Sequence, residues 1–80
     1  MKSNEDKYKQ AFIENFGVEA SEVESLAYES IPDWDSVGHM GLIGELEEAF
    51  QIQMEMDDVI ELSSYIKGKE ILAKKYGVCF

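Results

Sequence analysis

Residues 33–40 read Asp33-Trp34-Asp35-Ser36-Val37-Gly38-His39-Met40, and this stretch decides how the chain folds. A turn-prone segment that includes Pro32 ends here and an amphipathic helix begins, because Asp35 or Ser36 can accept hydrogen bonds from the N–H groups of the first turn. The Ser36 hydroxyl is thereby placed at the positive end of a helix dipole, where a phosphate-bearing group would be favoured. The simpler interpretation is that Ser36 is only a helix cap.

Apolar residues at helical spacing predict three longer helices and one short one. The longer helices span about residues 3–16, 36–50 and 65–76, with Gly17 and Gly77 ending the first and the last, and the short helix spans 57–62. Residues 18–31 are predicted to form a long loop with one helical turn, pinned by Val23, Leu26, Tyr28 and Ile31. No strand pattern or repeat is present, so the 80 residues predict a single all-α domain, a small four-helix bundle with a short third helix.

The helix faces divide into core and surface. The predicted inward residues of the second helix are His39, Leu42, Ile43, Leu46, Ala49 and Phe50, and those of the last helix are Tyr65, Ile66, Leu72, Ala73 and Tyr76. The second helix turns Val37 and Met40 outward, followed by Glu45, Glu47 and Glu48, which predicts a docking surface. Three glycines in this helix, Gly38, Gly41 and Gly44, predict close approach of a partner or a neighbouring helix.

Charge is distributed unevenly along the chain. The net charge is −10, and all seven basic residues are lysines near the two ends. Fourteen acids and no lysine or arginine lie between Gln10 and Ile66. Nucleic acid is therefore not an expected partner, whereas a protein with a basic docking surface is. No apolar run is long enough for a membrane span or a signal-peptide core, which predicts a cytoplasmic protein.

The residues available for chemistry are few. Cys79 is the only cysteine and His39 the only histidine, so neither an internal disulfide nor a transition-metal cluster is expected. Asp33-x-Asp35 opens like a calcium loop, but the twelfth position is Gly44, where a bidentate glutamate is required. Ser36 and His39 are three apart on a helix, yet a bundle of this size offers no evident oxyanion hole, so a hydrolase is not expected.

The tripeptide Asp35-Ser36-Val37 at the start of the second helix, followed by acids down that helix, closely resembles the acyl carrier protein family. The resemblance covers nearly the whole chain, from the Phe16-Gly17-Val18 end of the first helix through residues 46–50 to the last helix. It implies a non-catalytic carrier with the helical bundle of that family. A phosphopantetheinyl transferase would move 4′-phosphopantetheine from coenzyme A onto Ser36, and the thiol of this arm would hold acyl or aminoacyl groups as thioesters.

The resemblance also implies roles for other residues. Asp35 would assist the magnesium-dependent transfer. Partner enzymes that load and transfer acyl groups, with basic docking surfaces, would contact Val37, Met40, Glu47 and Glu48. A core able to admit an acyl chain would be lined by Tyr28, Ile43, Leu46, Met54 and Ile60. A monomer without a bound metal is expected.

Two positions differ from the sequence pattern of the family members that serve fatty-acid synthesis. Carriers in that pathway usually have leucine and then an acid after the serine, where this chain has Val37 and Gly38. This difference indicates a specialised lipid, polyketide, peptide or glycoconjugate pathway. The alternative function is an unmodified acidic adaptor, in which Ser36 is merely a cap and the second helix binds a basic partner.

Overall fold

The computed structural model describes residues 3–80, which form four α-helices joined by short loops and one long loop. The helices are α1 (Asn4–Phe16), α2 (Ser36–Phe50), α3 (Met56–Glu61) and α4 (Tyr65–Lys75), and one 3₁₀ turn spans Val23–Ser25. Residues 3–80 contain no strand, only an isolated antiparallel bridge between Ala27 and Ser64. The predicted all-α class, with three longer helices and a short third one, is confirmed. No described helix has the length and apolar character needed to cross a membrane.

Side-chain caps fix the start of each longer helix. Ser3, Asp35 and Ser64 accept hydrogen bonds from backbone N–H groups of their first turns. Gly17 ends α1 in the left-handed region at φ 66°, as its position predicted. Gly77 is also left-handed, at φ 67°, two residues after α4 ends. Since these caps depend on residues within one turn, the helix boundaries follow closely from the sequence.

The core is an aromatic cluster between α1, α4 and the segment before α2. Trp34 is fully buried, stacked on Phe16 with ring centroids 5.1 Å apart and edge-on to Phe12 at 5.6 Å. The Tyr8 hydroxyl donates to the Tyr65 carbonyl at 2.6 Å, which ties α1 to α4. The cluster anchors the loop end from which α2 starts, and therefore fixes where Ser36 lies.

The long loop is an integral part of the fold. Val23 and Leu26 are buried, and the predicted helical turn is the 3₁₀ turn. The loop then runs beside the start of α4, where the Tyr65 N–H donates to the Leu26 carbonyl at 3.0 Å and the Tyr28 N–H donates to the Ser63 carbonyl at 2.8 Å. These bonds hold Tyr28 close to the α3–α4 junction.

The prediction for the inward face of α4 was wrong at two positions. Ile66 is 63% exposed and Ala73 is also exposed, whereas Gly68 and Ile71 are buried. The reason is packing against Tyr8, whose hydroxyl lies 2.3 Å from where a Cβ at position 68 would be. Only glycine permits this approach, so α4 turns its Gly68 side inward and Ile66 outward.

Candidate functional site

Ser36 is the first residue of α2, and its hydroxyl does not cap the helix. The cap is Asp35, whose extended backbone directs Oδ1 to the Gly38 N–H at 2.9 Å. The interpretation of Ser36 as only a cap is therefore wrong. Ser36 is exposed, and its hydroxyl oxygen lies 3.3 Å from the Tyr28 hydroxyl, where either group can donate. This arrangement leaves the serine oxygen accessible at a helix N-terminus.

An apolar groove of about 440 Å³ opens beside this serine, between α2 and α3. Its lining residues are Tyr28, Ser36, His39, Met40, Met56, Val59, Ile60, Leu62 and Ser63. The exposed serine forms part of the wall, so any group attached to the hydroxyl would begin at the groove. The methionines supply side chains that adapt to differently shaped ligands.

The five residues predicted to line an acyl-chain pocket fall into two separate sets. Tyr28 and Ile60 line the groove, while Ile43, Leu46 and Met54 are buried in the core and do not line it. The placement of Ile60 in the core was wrong, since this residue is 71% exposed. The short helix α3 turns Val59 and Asp58 inward instead. Tyr28 is likewise only partly covered, because its loop runs along the surface beside α4.

The predicted docking residues differ in how far they are exposed. Val37 and Met40 are exposed, 81% and 59%, and Glu48 is exposed as well. Glu47 is half-buried, and its carboxylate accepts a hydrogen bond from the Met54 N–H at 2.9 Å. Its carboxylate therefore binds the α2–α3 loop rather than facing freely outward.

Two exposed residues of α3, Met56 and Ile60, line the same groove as Met40. The sequence pattern did not assign Met56 to any surface. A helix of six residues offers too few turns for hydrophobic periodicity to define its outer face.

His39 links α2 to the preceding loop through one ring nitrogen and to α3 through the other. The Trp34 indole N–H donates to His39 Nδ1 at 2.9 Å, and His39 Nε2 lies 2.6 Å from the Val59 carbonyl oxygen. Because an indole nitrogen can only donate, Nδ1 must accept, and the proton must be on Nε2. Both nitrogens are thus occupied, and His39 offers no free nitrogen to activate Ser36 as a general base.

Most acids in the described part of the chain form no ion pair. Among residues 3–80 the ion pairs are Lys69 with Glu5 and Lys75 with Asp58. The hydrogen bonds from Lys75 and Tyr76 lower the pKa of Asp58 below its usual value. In the same described part of the chain, no three His, Cys, Asp or Glu residues are grouped so that they could hold a metal ion.

Comparison with known proteins found no relative that shares this site. No protein-family model, curated protein or solved structure matches the chain. The features that bear on function are therefore those of the site. Its distinguishing features are an accessible hydroxyl at a helix N-terminus, a separate residue that caps this helix, and an adjoining apolar groove.

Proposed function

We propose that this chain is an acyl carrier protein modified at Ser36 with 4′-phosphopantetheine. The observation that carries the proposal is the Asp35 cap, which leaves the exposed Ser36 hydroxyl free for modification. In the transfer, the serine oxygen bonds to the β-phosphorus of coenzyme A, the pyrophosphate bond breaks, and adenosine bisphosphate leaves. The serine proton passes to a base of the transferase. The thiol of the arm then holds acyl or aminoacyl cargo as a thioester.

The N-terminus of α2 suits a phosphodiester. Free N–H groups and the helix dipole favour a negative charge there, and the first turn of α2 contains no acidic residue. Asp35 lies just before this turn, with Oδ1 bound to the Gly38 N–H. Its second carboxylate oxygen is the proposed site of assistance to the magnesium-dependent transfer, supplied within the transferase complex.

The partners of such a carrier would dock on the exposed side of α2. Val37 and Met40 provide apolar contact, and Glu48 provides a charge for a basic docking surface. Glu47 contributes to the negative field while it holds the loop at Met54. The partners are the phosphopantetheinyl transferase and the enzymes that load and transfer acyl groups.

The helix order and the acidity of α2 support a bundle of the acyl-carrier-protein type, acting as a cytoplasmic monomer that is not itself an enzyme. The engagement of both His39 nitrogens agrees with a non-catalytic carrier. Val37 and Gly38 after the serine support a specialised lipid, polyketide, peptide or glycoconjugate pathway. The housekeeping route of fatty acid biosynthesis fits these two residues less well.

One observation favours a second candidate function. Val37 is the most exposed large apolar residue of the described chain, and it needs no modified serine to bind a partner. An unmodified acidic adaptor would use this surface of α2 to bind a basic protein. In that case the Ser36 hydroxyl would have no role in binding.

Intact mass spectrometry separates the two functions. The protein is incubated with coenzyme A, magnesium and a broad-specificity phosphopantetheinyl transferase, beside Ser36→Ala and Ser63→Ala variants. Ser63 is the matched control because it is an exposed serine that lines the same groove. We expect one added phosphopantetheine on the wild type and on Ser63→Ala, and none on Ser36→Ala. No addition under conditions that modify a known carrier would overturn the carrier proposal and favour the adaptor.

A further inference from the structure

His39 lies at the boundary between the groove and the core. It lines the groove together with Ser36, one helical turn earlier. Ile43 follows one turn later on the same side of α2, but it is buried and does not line the groove. A chain that started at Ser36 and followed α2 towards Ile43 would therefore have to pass the His39 side chain.

The His39 ring is held in place from two sides. Trp34 donates to Nδ1 at 2.9 Å, and the two rings lie nearly in one plane, edge to edge, with an interplanar angle of 16°. Trp34 is itself fixed by its stacking on Phe16 of α1. On the other side, Nε2 donates to the Val59 carbonyl of α3 at 2.6 Å. Moving the ring aside would leave the indole N–H of a fully buried tryptophan without its partner, which is unfavourable.

We propose that His39 is a positioning residue that closes the core to whatever Ser36 carries. The bond from His39 to Val59 crosses from α2 to α3 and forms the inner end of the groove. An apolar chain attached at position 36 lies along Met40, Met56 and Ile60, and it does not reach the buried Ile43 or Leu46. The statement about natural cargo rests on the proposed carrier function. The closure of the core applies to any chain attached at position 36.

A closed core selects the class of cargo. A surface groove covers an alkyl chain on one side only, so each further methylene leaves apolar area in water. Short or polar acyl groups lose little by remaining at the surface. We therefore infer that this site carries short or polar acyl groups in preference to long saturated ones.

The test attaches chains directly to position 36 without a transferase. A Ser36→Cys variant is made together with Cys79→Ser, which removes the exposed native thiol. The new thiol is alkylated with N-methyl or N-octyl iodoacetamide, and methyl NMR spectra of the two adducts are compared. We expect the octyl chain to shift the resonances of Met40, Met56 and Ile60 and to leave those of Ile43 and Leu46 as in the methyl adduct. Octyl-specific shifts at Ile43 and Leu46 would overturn the inference.

Two variants of His39 test its positioning role in the same background. His39→Ala removes the barrier, so the octyl chain should now shift Ile43 and Leu46. His39→Gln has an amide oxygen that can accept from Trp34 and an amide N–H that can donate to Val59, so it should restore the wild-type pattern. A role limited to stability would lower the melting temperature of His39→Ala without octyl-specific core shifts, and this result would overturn the positioning role.

The outcome is independent of whether Ser36 accepts the phosphopantetheine arm. Alkylation requires only an accessible thiol, so it proceeds even if the transferase assay is negative. A negative mass result with a closed core would overturn the carrier proposal alone. If the protein accepts the arm and the octyl chain shifts Ile43 and Leu46, only the positioning role of His39 would be overturned.

Discussion

The Asp35 carboxylate accepts a hydrogen bond from the Gly38 backbone nitrogen at 2.9 Å, and this contact separates the capping of α2 from the serine that follows. Neighbouring residues of similar capping ability thus have different roles. Asp35 stabilises the helix, while Ser36 presents its hydroxyl at the groove. A modification at Ser36 therefore leaves the cap of α2 intact.

The first prediction concerns stability at this junction. Asp35→Ala should lower the free energy of unfolding by about 1 kcal/mol, the usual loss for a helix cap. Ser36→Ala should change it by less than about 0.5 kcal/mol, because the exposed hydroxyl caps nothing. Urea unfolding followed by circular dichroism measures both, and Asp35→Ser is the control that retains a capping oxygen. An equal loss in Ser36→Ala and Asp35→Ala would contradict this division of roles.

The glycines of α2 provide the second prediction. A Cβ at Gly38 would lie 1.9 Å from the Asp33 carbonyl oxygen, whereas a Cβ at Gly44 would meet nothing within 4 Å. Gly38→Ala should therefore destabilise the protein by at least about 2 kcal/mol through overpacking against backbone. Gly44→Ala should stabilise it by roughly 1 kcal/mol through higher helix propensity. Thermal unfolding of the two variants compares them directly, and equal melting temperatures would contradict the packing at Gly38.

The three glycines of α2 therefore do not share one cause, although their regular spacing predicted close approach at all of them. The expected close approach is present at Gly41, where the Asn15 side chain of α1 would lie 2.7 Å from a Cβ. At Gly38 the nearest group is the preceding loop, with the Phe16 side chain of α1 at 3.3 Å from a Cβ, and at Gly44 no described atom lies within 4 Å. Spacing alone could not separate these cases, because it does not specify what packs on each side of the helix.

Local interactions made most of the fold predictable. Caps such as Ser64 and Gly17 act within one turn, and the stripe Leu42, Ile43 and Leu46 repeats at helical spacing. The geometry of the site depends more on contacts between residues that are far apart in the sequence. The sequence could not predict the bonds of His39 to Trp34 and Val59, because Val59 is twenty residues away and Trp34 lies in an aperiodic segment.

The third prediction follows from the excess of acids. Fourteen acids lie between Gln10 and Ile66, and within residues 3–80 only Asp58 among them forms an ion pair with a lysine. Their mutual repulsion should be weakened as salt shortens the range of charge interactions. The melting temperature should therefore rise between low and moderate sodium chloride. Scanning calorimetry at fixed pH measures this, and a melting temperature independent of salt would contradict the electrostatic account.

The fourth prediction concerns Asp58, which is buried on α3 and bound by two residues at the end of α4. The Lys75 ammonium donates to Oδ1 at 2.7 Å and the Tyr76 hydroxyl donates to Oδ2 at 2.6 Å. Both bonds favour the charged carboxylate and lower the pKa of Asp58. The Tyr76 hydroxyl also accepts from the Glu55 N–H, so this cluster links the start of α3 to the end of α4.

A carboxylate whose pKa is lower in the folded state stabilises that state above its unfolded pKa, near 4. This contribution is lost as the pH falls through the lower folded value. Asp58→Asn should therefore melt at a lower temperature than the wild type at neutral pH, and the difference should shrink below about pH 4. Glu48→Gln, at an exposed acid of α2, controls for the change in net charge. Thermal unfolding from neutral to acid pH measures the difference, and a constant gap would mean that Asp58 contributes through packing rather than charge.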